Sequence, residues 1–145
     1  MPGQVHIVDD DERFAAAMAR RLRHAGHEVA VYASAEQFLG QLASGSVPGC
    51  VLLDVHICQM DGIALQRRLS ELRCTLPIIF LSDDVDIPVV VLAIKADGED
   101  FFAKPVSLSD LLRAIERALA LNRSAREVRT QSDVIYARIA KIDTA

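Results

Sequence analysis

Residues 50–56 of the chain are Cys50-Val51-Leu52-Leu53-Asp54-Val55-His56, in which four apolar residues are followed directly by an acid. Turn-forming residues stand on both sides of the run, Pro48-Gly49 before it and Met60-Asp61-Gly62 after it. A continuous apolar run of this length between turns predicts a strand that is buried on both faces. Asp54 then ends the strand, where open α/β sheets place their ligands. Taken alone, Asp54 is better explained as a residue that only caps the following turn.

Strand and helix patterns alternate along the rest of the chain. Four further strands are predicted, at Val5–Val8, Val29–Tyr32, Ile78–Leu81 and Asp100–Ala103. Five amphipathic helices are predicted over about Phe14–Ala25, Ala35–Leu42, Ile63–Leu72, Asp86–Gly98 and Ser107–Leu119. The apolar stripe of the first helix is expected at Phe14, Ala17, Met18, Leu22 and Ala25. This alternation predicts a parallel sheet with helices on both faces, the doubly wound α/β class.

Two helix ends carry specific signals. Gly26 is expected to follow the first helix as its C′ residue, since glycine readily adopts the left-handed conformation that ends many helices. Ser34 and Gln37 have the spacing of a capping box in front of the second helix.

Composition and charge restrict the class of protein. The chain has 145 residues, 51 % hydrophobic and 25 % charged, which is typical of one soluble globular domain with room for an appendage. Its net charge of -4 argues against binding of nucleic acid by this segment itself, since a basic excess is needed to replace phosphate counterions. No apolar run approaches the roughly 20 residues that span a bilayer, and residues 1–5 have no signal-peptide pattern, so a cytoplasmic location is expected. Cys50, Cys58 and Cys74 lack the spacing of a zinc site or a disulfide framework and are expected to be reduced.

Polar residues with useful chemistry stand at the ends of four predicted strands. In chain order they are Asp9 and Asp10, Asp54, Ser82 and Lys104. Right-handed crossovers place the carboxyl ends of parallel strands at one edge of a sheet, so these groups should form one pocket. Two carboxylates about 4 Å apart repel by on the order of 4 kcal/mol at an effective dielectric near 20, so three acids together favour a bound cation. Oxygen ligands with open positions suit Mg²⁺.

Asp54 is the predicted nucleophile of this pocket. Its central position would let it attack phosphorus, as carboxylates do in aspartyl-phosphate chemistry, while Lys104 and Ser82 bind phosphoryl oxygens. The chain has no P-loop, no glycine-rich dinucleotide fingerprint and no Gly-x-Ser-x-Gly elbow, so a nucleotide is not the expected donor.

Six segments carry a family resemblance. They are Val5-His6-Ile7-Val8-Asp9-Asp10-Asp11-Glu12, Ser34-Ala35-Glu36-Gln37-Phe38-Leu39, Leu52-Leu53-Asp54-Val55, Met60-Asp61-Gly62, Leu76-Pro77-Ile78-Ile79-Phe80-Leu81-Ser82 and Asp100-Phe101-Phe102-Ala103-Lys104-Pro105. With them, about residues 4–122 resemble the receiver domain of two-component response regulators. The resemblance is strongest to the FixJ-like branch, whose members join a receiver to a LuxR-type helix-turn-helix. It implies a flavodoxin-like sheet of order 2-1-3-4-5.

The resemblance also implies roles for the acids. Asp54 would accept phosphate from a sensor histidine kinase. Asp10 would bind Mg²⁺ directly, together with Asp54 and the backbone carbonyl of His56, and Asp9 would act mainly through water. The domain would catalyse at most its own phosphotransfer and autodephosphorylation, and would not otherwise be an enzyme.

The remaining implied roles concern the response to phosphate. Lys104 would bind the phosphoryl group, with a cis peptide bond to Pro105. Ser82 and Phe101 would form a coupled switch that moves the domain between inactive and active states and so controls transcription. The physical logic agrees, because Ser82 and Lys104 gain partners only when phosphate is present.

Several positions depart from the family pattern. Cys58 stands where the loop after Asp54 usually has proline, and Asp83 and Asp84 stand at the pocket mouth, where two acids should repel an anionic donor and slow phosphotransfer. Residues 97–99 alter the surface that the family uses for dimerisation. A homodimer through the predicted fourth helix, the fifth strand and the C-terminal helix is therefore less secure as an expectation.

The chain changes character beyond Asn122. Leu121, Val128, Ile135 and Ile142 recur every seven residues, which predicts an amphipathic helix over residues 123–145, either a surface linker or a short coiled coil. We expect a receiver domain over residues 1–122 and a linker helix over 123–145 that leads toward an absent output domain. DNA would be bound only through that missing domain, and no membrane partner is expected.

Two rival functions stay open. A pseudo-receiver would keep the fold but signal by binding alone, without phosphate. A metal-dependent phosphatase of similar topology would use Asp54 as nucleophile with a general acid two residues later, where His56 stands.

Overall fold

The computed structural model describes residues 4–43, 48–57, 62–71, 76–82 and 100–122. In chain order its elements are β1 (Gln4–Val8), α1 (Glu12–His24), β2 (Glu28–Tyr32), α2 (Ala35–Ala43), β3 (Gly49–Asp54), α3 (Gly62–Glu71), β4 (Ile78–Ser82) and β5 (Asp100–Ala103). A last described helix covers residues 108–122. None of the described helices is both long and apolar enough to cross a bilayer.

The five strands form one sheet of order β2-β1-β3-β4-β5, and every neighbouring pair is parallel. The predicted flavodoxin-like fold is therefore confirmed. Because all strands run the same way, their carboxyl ends lie at one edge of the sheet. That edge is where Asp54 ends β3 and Ser82 ends β4.

Burial of β3 on both faces is also confirmed, since all six of its residues are buried. Cys50 and Leu52 pack into a core cluster with α1 and the helix 108–122. Val51 and Leu53 point the other way, into a second cluster with α2 and α3. A central strand between two such clusters needs apolar side chains at successive positions, which explains the continuous apolar run in the sequence. Cys50 is a free thiol, and burial raises its pKa to about 12.

The first helix is where the predicted apolar face is wrong in part. Its buried residues are Ala15, Met18, Ala19 and Leu22, whereas Ala17 and Ala25 are exposed, and Ala25 follows the helix as its C-cap. The buried residues follow the i, i+3, i+4, i+7 spacing of a single helix face, and Ala17 lies off that face. The predicted role of Gly26 is confirmed, since it follows α1 with a φ of 97°. The predicted capping box is confirmed in part: the Ser34 hydroxyl accepts a hydrogen bond from the Gln37 N–H at 3.2 Å, but the Gln37 side chain accepts from the Ala33 N–H and not from that of Ser34.

His6 is a buried polar residue of β1 with two hydrogen-bond partners. Its Nε2 lies 3.2 Å from the Pro48 carbonyl oxygen, and its Nδ1 lies 3.3 Å from the Tyr32 hydroxyl. A carbonyl can only accept, so Nε2 carries the proton and donates to Pro48, while Nδ1 accepts from Tyr32. Burial lowers the pKa of His6, and the bond to Pro48 opposes this effect only in part, so the ring is neutral.

The start of β3 is fixed by a contact that the sequence pattern does not indicate. The side-chain oxygen of Asn122, at the end of the last described helix, accepts a hydrogen bond from the Gly49 N–H at 3.1 Å. Gly49 has a φ of 126°, and a Cβ built there would lie 1.7 Å from the backbone oxygen of Gln4. Glycine is therefore required where β3 passes β1.

Several expectations fall on residues outside those that the structure describes. They are the helix predicted from Asp86, the departures at Cys58, Asp83, Asp84 and 97–99, the thiol of Cys74, and the linker helix over 123–145. These expectations, and the dimer surface that depends on them, stay predictions.

Replacement of Gly49 by alanine tests the close approach of β1 and β3. Gly49→Ala should lower the free energy of unfolding by at least about 2 kcal/mol, because a non-glycine residue is strained at this φ and its Cβ meets backbone. Gly40→Ala is the matched control: Gly40 lies in α2 with open space around it, so alanine there should stabilise by about 0.5–1 kcal/mol. Urea unfolding of both variants measures the difference. Equal effects at the two positions would contradict the account.

Candidate functional site

The carboxyl edge of the sheet gathers three acids. Asp9 and Asp10 follow β1, and Asp54 is the last residue of β3. One carboxylate oxygen from each of the three lies within 4.8 Å of the others. The predicted convergence is therefore present in the structure, and it follows from the pairing of β1 with β3, which sets Val8 opposite Leu53.

Lys104 brings a positive charge into this acid cluster. Its Nζ lies 2.8 Å from Asp9 Oδ2 and 3.2 Å from Asp54 Oδ2, and all three side chains are at most 9 % exposed. Lys104 follows β5, and its backbone N–H donates to the Ser82 carbonyl oxygen at 2.8 Å, which holds the lysine beside β4. Salt bridges in such a buried setting are screened far less than surface pairs. The expectation that Lys104 gains partners only when phosphate is present is therefore wrong.

Backbone N–H groups hold the carboxylates from the other side. The N–H of Asp11 donates to Asp9 Oδ1, and the N–H of His56 donates to Asp54 Oδ1, each at 2.9 Å. Both bonds join residues two apart, the arrangement of a turn closed by an aspartate side chain. The turns after β1 and β3 thus fix the direction in which each carboxylate points.

Burial and charge act in opposite directions on the pKa values of the ion pair. Burial raises the pKa of Asp9, and the Lys104 ammonium and the Asp11 N–H counter this effect without cancelling it. For Lys104, burial lowers the pKa, but the carboxylates of Asp9 and Asp54 outweigh it and the net shift is upward. Lys104 is therefore charged at neutral pH, while Asp9 carries a desolvated charge that one ammonium compensates only in part.

The two predicted switch residues lie in β4 and β5. Ser82 is fully buried and pairs with Ala103 in the register of β4 and β5. Phe101 is half-buried in β5 and packs against the second core cluster. The expected cis peptide bond between Lys104 and Pro105 is present.

Phe14 is a site residue that the sequence analysis missed. The Nζ of Lys104 lies 4.1 Å from the centroid of the Phe14 ring, within the range of a cation–π contact. In the sequence Phe14 was assigned only to the apolar stripe of the first helix. The sequence offers one signal for this contact: Phe14 is an aromatic residue in the first turn of a helix that begins directly after the acids.

Removal of Lys104 tests how far its ammonium compensates the acids. In the absence of divalent ions, Lys104→Met should lower the free energy of unfolding at pH 7 by about 3–5 kcal/mol, because it leaves two buried carboxylates without an opposite charge. The raised pKa of Asp9 means that the folded state binds its proton more tightly than the unfolded state does. The loss should therefore shrink as the pH falls and Asp9 is protonated.

Arg117→Met is the matched control for that measurement. Arg117 forms an ion pair with Asp100 at 3.0 Å, but its side chain is 70 % exposed. Its removal should cost less than about 1 kcal/mol. Chemical denaturation at several pH values compares the two variants. A loss for Lys104→Met that is small, or that does not depend on pH, would contradict the described role of the ammonium.

Comparison with known proteins places the geometry in a family. The model for the response regulator receiver domain matches residues 5–116. The response regulator protein TmoT of Ectopseudomonas mendocina is 44 % identical over 126 residues, which are 85 % of this chain and 56 % of TmoT. The structure of the response regulator StyR matches with a TM-score of 0.88 at 34 % identity, covering 97 % of this chain and 70 % of that one. The structure of FixJ-N matches with a TM-score of 0.77 at 34 % identity, covering 83 % and 95 %.

The match is to part of the relatives only, since the chain spans about half the length of the curated relatives it matches. Within that part, a family model over most of the chain and a close relative agree with the fold and with the acid cluster at the sheet edge. The chain belongs to the response regulator receiver domain family.

Proposed function

We propose that Asp54 accepts a phosphoryl group from the phosphohistidine of a sensor kinase, in a reaction that needs Mg²⁺. The observation that carries the proposal is the position of Asp54, within 4.8 Å of two further acids and 3.2 Å from the Lys104 ammonium. A carboxylate beside a cation-binding group and an ammonium has what phosphoryl transfer needs from a protein, namely positioning and charge stabilisation.

The donor set fits a divalent cation. Asp9 and Asp54 share the single ammonium of Lys104, so this trio keeps one formal negative charge, and Asp10 adds a third carboxylate within 4.8 Å. We assign Asp10, Asp54 and the backbone carbonyl of His56 as direct ligands and Asp9 as a partner through water. Both oxygens of Asp9 and both oxygens of Asp54 already accept a hydrogen bond, so the division between direct and water-mediated ligands follows the family resemblance. Mg²⁺ keeps several waters and uses few carboxylates, and when bound it would neutralise charge on the phosphoryl oxygens.

The transfer itself is a displacement at phosphorus. A carboxylate oxygen of Asp54 forms the new O–P bond as the N–P bond to the donor imidazole breaks, and the imidazole leaves with the electron pair of that bond. The His56 N–H bond to Oδ1 orients the carboxylate during this step. Lys104, which is already at Oδ2, binds a phosphoryl oxygen. The domain would catalyse at most its own phosphotransfer and autodephosphorylation.

Ser82 and Phe101 would transmit the change. The phosphoryl group adds about two negative charges and strong acceptor oxygens next to a buried hydroxyl. Ser82 is bonded through its carbonyl to the Lys104 N–H, so a shift at either residue is felt by the other. Phe101 follows Asp100 in β5 and pairs with Phe80 in β4, which places it where a movement of the end of β4 would alter its packing.

The output of the switch is proposed from the family. We infer that residues 1–122 form the receiver and that 123–145 link it to a LuxR-type helix-turn-helix, as in the FixJ-like branch, so that phosphorylation controls transcription. DNA would then be bound only by that output domain. A homodimer through the predicted fourth helix, β5 and the C-terminal helix is carried over from the family with less support, because residues 97–99 alter that surface.

Labelling with acetyl phosphate tests the proposal. The chain should become phosphorylated only with Mg²⁺ present, and Asp54→Asn should abolish the label because the nucleophile is lost. Asp100→Asn is the matched control: Asp100 begins β5, pairs with Arg117 and lies away from the acid cluster, so it should be labelled as the wild type is. Phosphate-affinity gel electrophoresis measures the labelled fraction.

The rival functions give other outcomes in the same experiment. A wild-type chain that takes no label under any Mg²⁺ concentration would support a pseudo-receiver that signals by binding. Sustained turnover of an external ester such as p-nitrophenyl phosphate, lost in His56→Ala, would support the phosphatase alternative.

A further inference from the structure

We propose that Phe14 is a positioning residue for phosphotransfer, because its ring face holds the Lys104 ammonium against the acid cluster. The inference rests on the proposed reaction at Asp54. The Lys104 Nζ lies 4.1 Å from the ring centroid of Phe14, 2.8 Å from Asp9 Oδ2 and 3.2 Å from Asp54 Oδ2. The ammonium therefore has two carboxylates and one aromatic face as its neighbours.

The ring is fixed in place by the same loop that carries the acids. The Asp11 N–H donates to Asp9 Oδ1, and the Asp11 carboxylate in turn accepts the Phe14 N–H at 3.1 Å as the N-cap of α1. The Phe14 side chain also packs against the core cluster of α1 and the helix 108–122. Asp9 and the Phe14 ring thus belong to one hydrogen-bonded segment. Lys104, which follows the edge strand β5, contacts both of them.

The Phe14 ring attracts the Lys104 ammonium in a different way from a carboxylate. An ammonium has three N–H donors, and the π face of a benzene ring attracts a cation without competing for the acceptors that the other donors use. Lysine has four rotatable bonds, so a third neighbour restricts it strongly. The side chain of Lys104 is only 9 % exposed, and a cation–π contact is stronger where water is excluded.

The contact matters most when the charge on Asp54 changes. Once Asp54 is phosphorylated to an acyl phosphate, Lys104 loses a carboxylate partner and must bind a phosphoryl oxygen instead. Asp9 and the Phe14 ring are then the contacts that keep the ammonium at the site during the exchange. A residue that fixes Lys104 in this way contributes to the rate without touching the phosphoryl group.

Fluorination of the ring separates its electrostatics from its shape. Phenylalanine with one, three and five ring fluorines is placed at position 14, since each fluorine weakens the attraction for a cation while the ring keeps nearly its size. The rate constant for labelling by acetyl phosphate with Mg²⁺ should fall stepwise, by roughly two- to fivefold for the fully fluorinated ring. Phe14→Leu should be slow, and Phe14→Tyr, which keeps the ring, should recover most of the rate.

Phe102 is the matched control, because it is half-buried against the same core cluster. The same fluorinated series at position 102 should leave the labelling rate unchanged. Circular dichroism and the unfolding midpoint establish that each variant is folded. Ring-current shifts provide a second readout: the terminal CH₂ protons of Lys104 should move downfield in Phe14→Leu.

Failure of this inference can be told from failure of the proposed function. If the wild type is labelled at Asp54 but the rate is the same across the fluorinated series at position 14, the role of Phe14 is overturned and the reaction stands. A slow Phe14→Leu with a flat fluorinated series would likewise overturn it, since that result indicates packing alone. If the wild type takes no label at all, the proposed phosphotransfer to Asp54 is contradicted, and with it the role of Phe14 in that reaction.

Discussion

The site depends on one interaction, the salt bridge that the Lys104 ammonium makes with both Asp9 and Asp54. Its three members come from the ends of β1, β3 and β5, so the bridge ties together the carboxyl edge of the sheet. Two carboxylates about 4 Å apart repel by on the order of 4 kcal/mol at an effective dielectric near 20. The ammonium offsets that repulsion, and the backbone N–H groups of Asp11 and His56 add fixed dipoles that support each acid.

The compensation is incomplete in a way that fits the proposed function. Asp9 and Asp54 share one lysine, and the pKa of Asp9 stays above its ordinary value even beside that lysine. A site built only for stability would balance its charges or replace them with apolar side chains. The remaining negative charge would attract a divalent cation. It would also repel an added phosphoryl group, so the contacts at this edge of the sheet would change on phosphorylation.

Much of the fold was predictable because its signals are local or periodic. The run at 50–56 indicates a strand buried on both faces, and the strand–helix alternation indicates a parallel sheet, which together place Asp9, Asp54 and Lys104 at one edge. Three contacts could not be predicted from local patterns: Phe14 with Lys104, Asn122 with Gly49, and His6 with Tyr32. Each joins residues far apart in the chain, and no spacing rule connects a helix-capping turn to a lysine ninety residues later. The assignment of Ala17 to the buried face was wrong because alanines occupy consecutive positions there and only packing selects among them.

Chemical mapping of the phosphorylated residue tests the central claim most directly. Borohydride reduces an aspartyl phosphate to homoserine, and peptide mass spectrometry then locates the reduced residue. After phosphorylation with Mg²⁺, homoserine should be found at position 54 and at no other acid. Homoserine at position 9 or 10, or label that resists borohydride because it is carried by a hydroxyl group, would contradict the account.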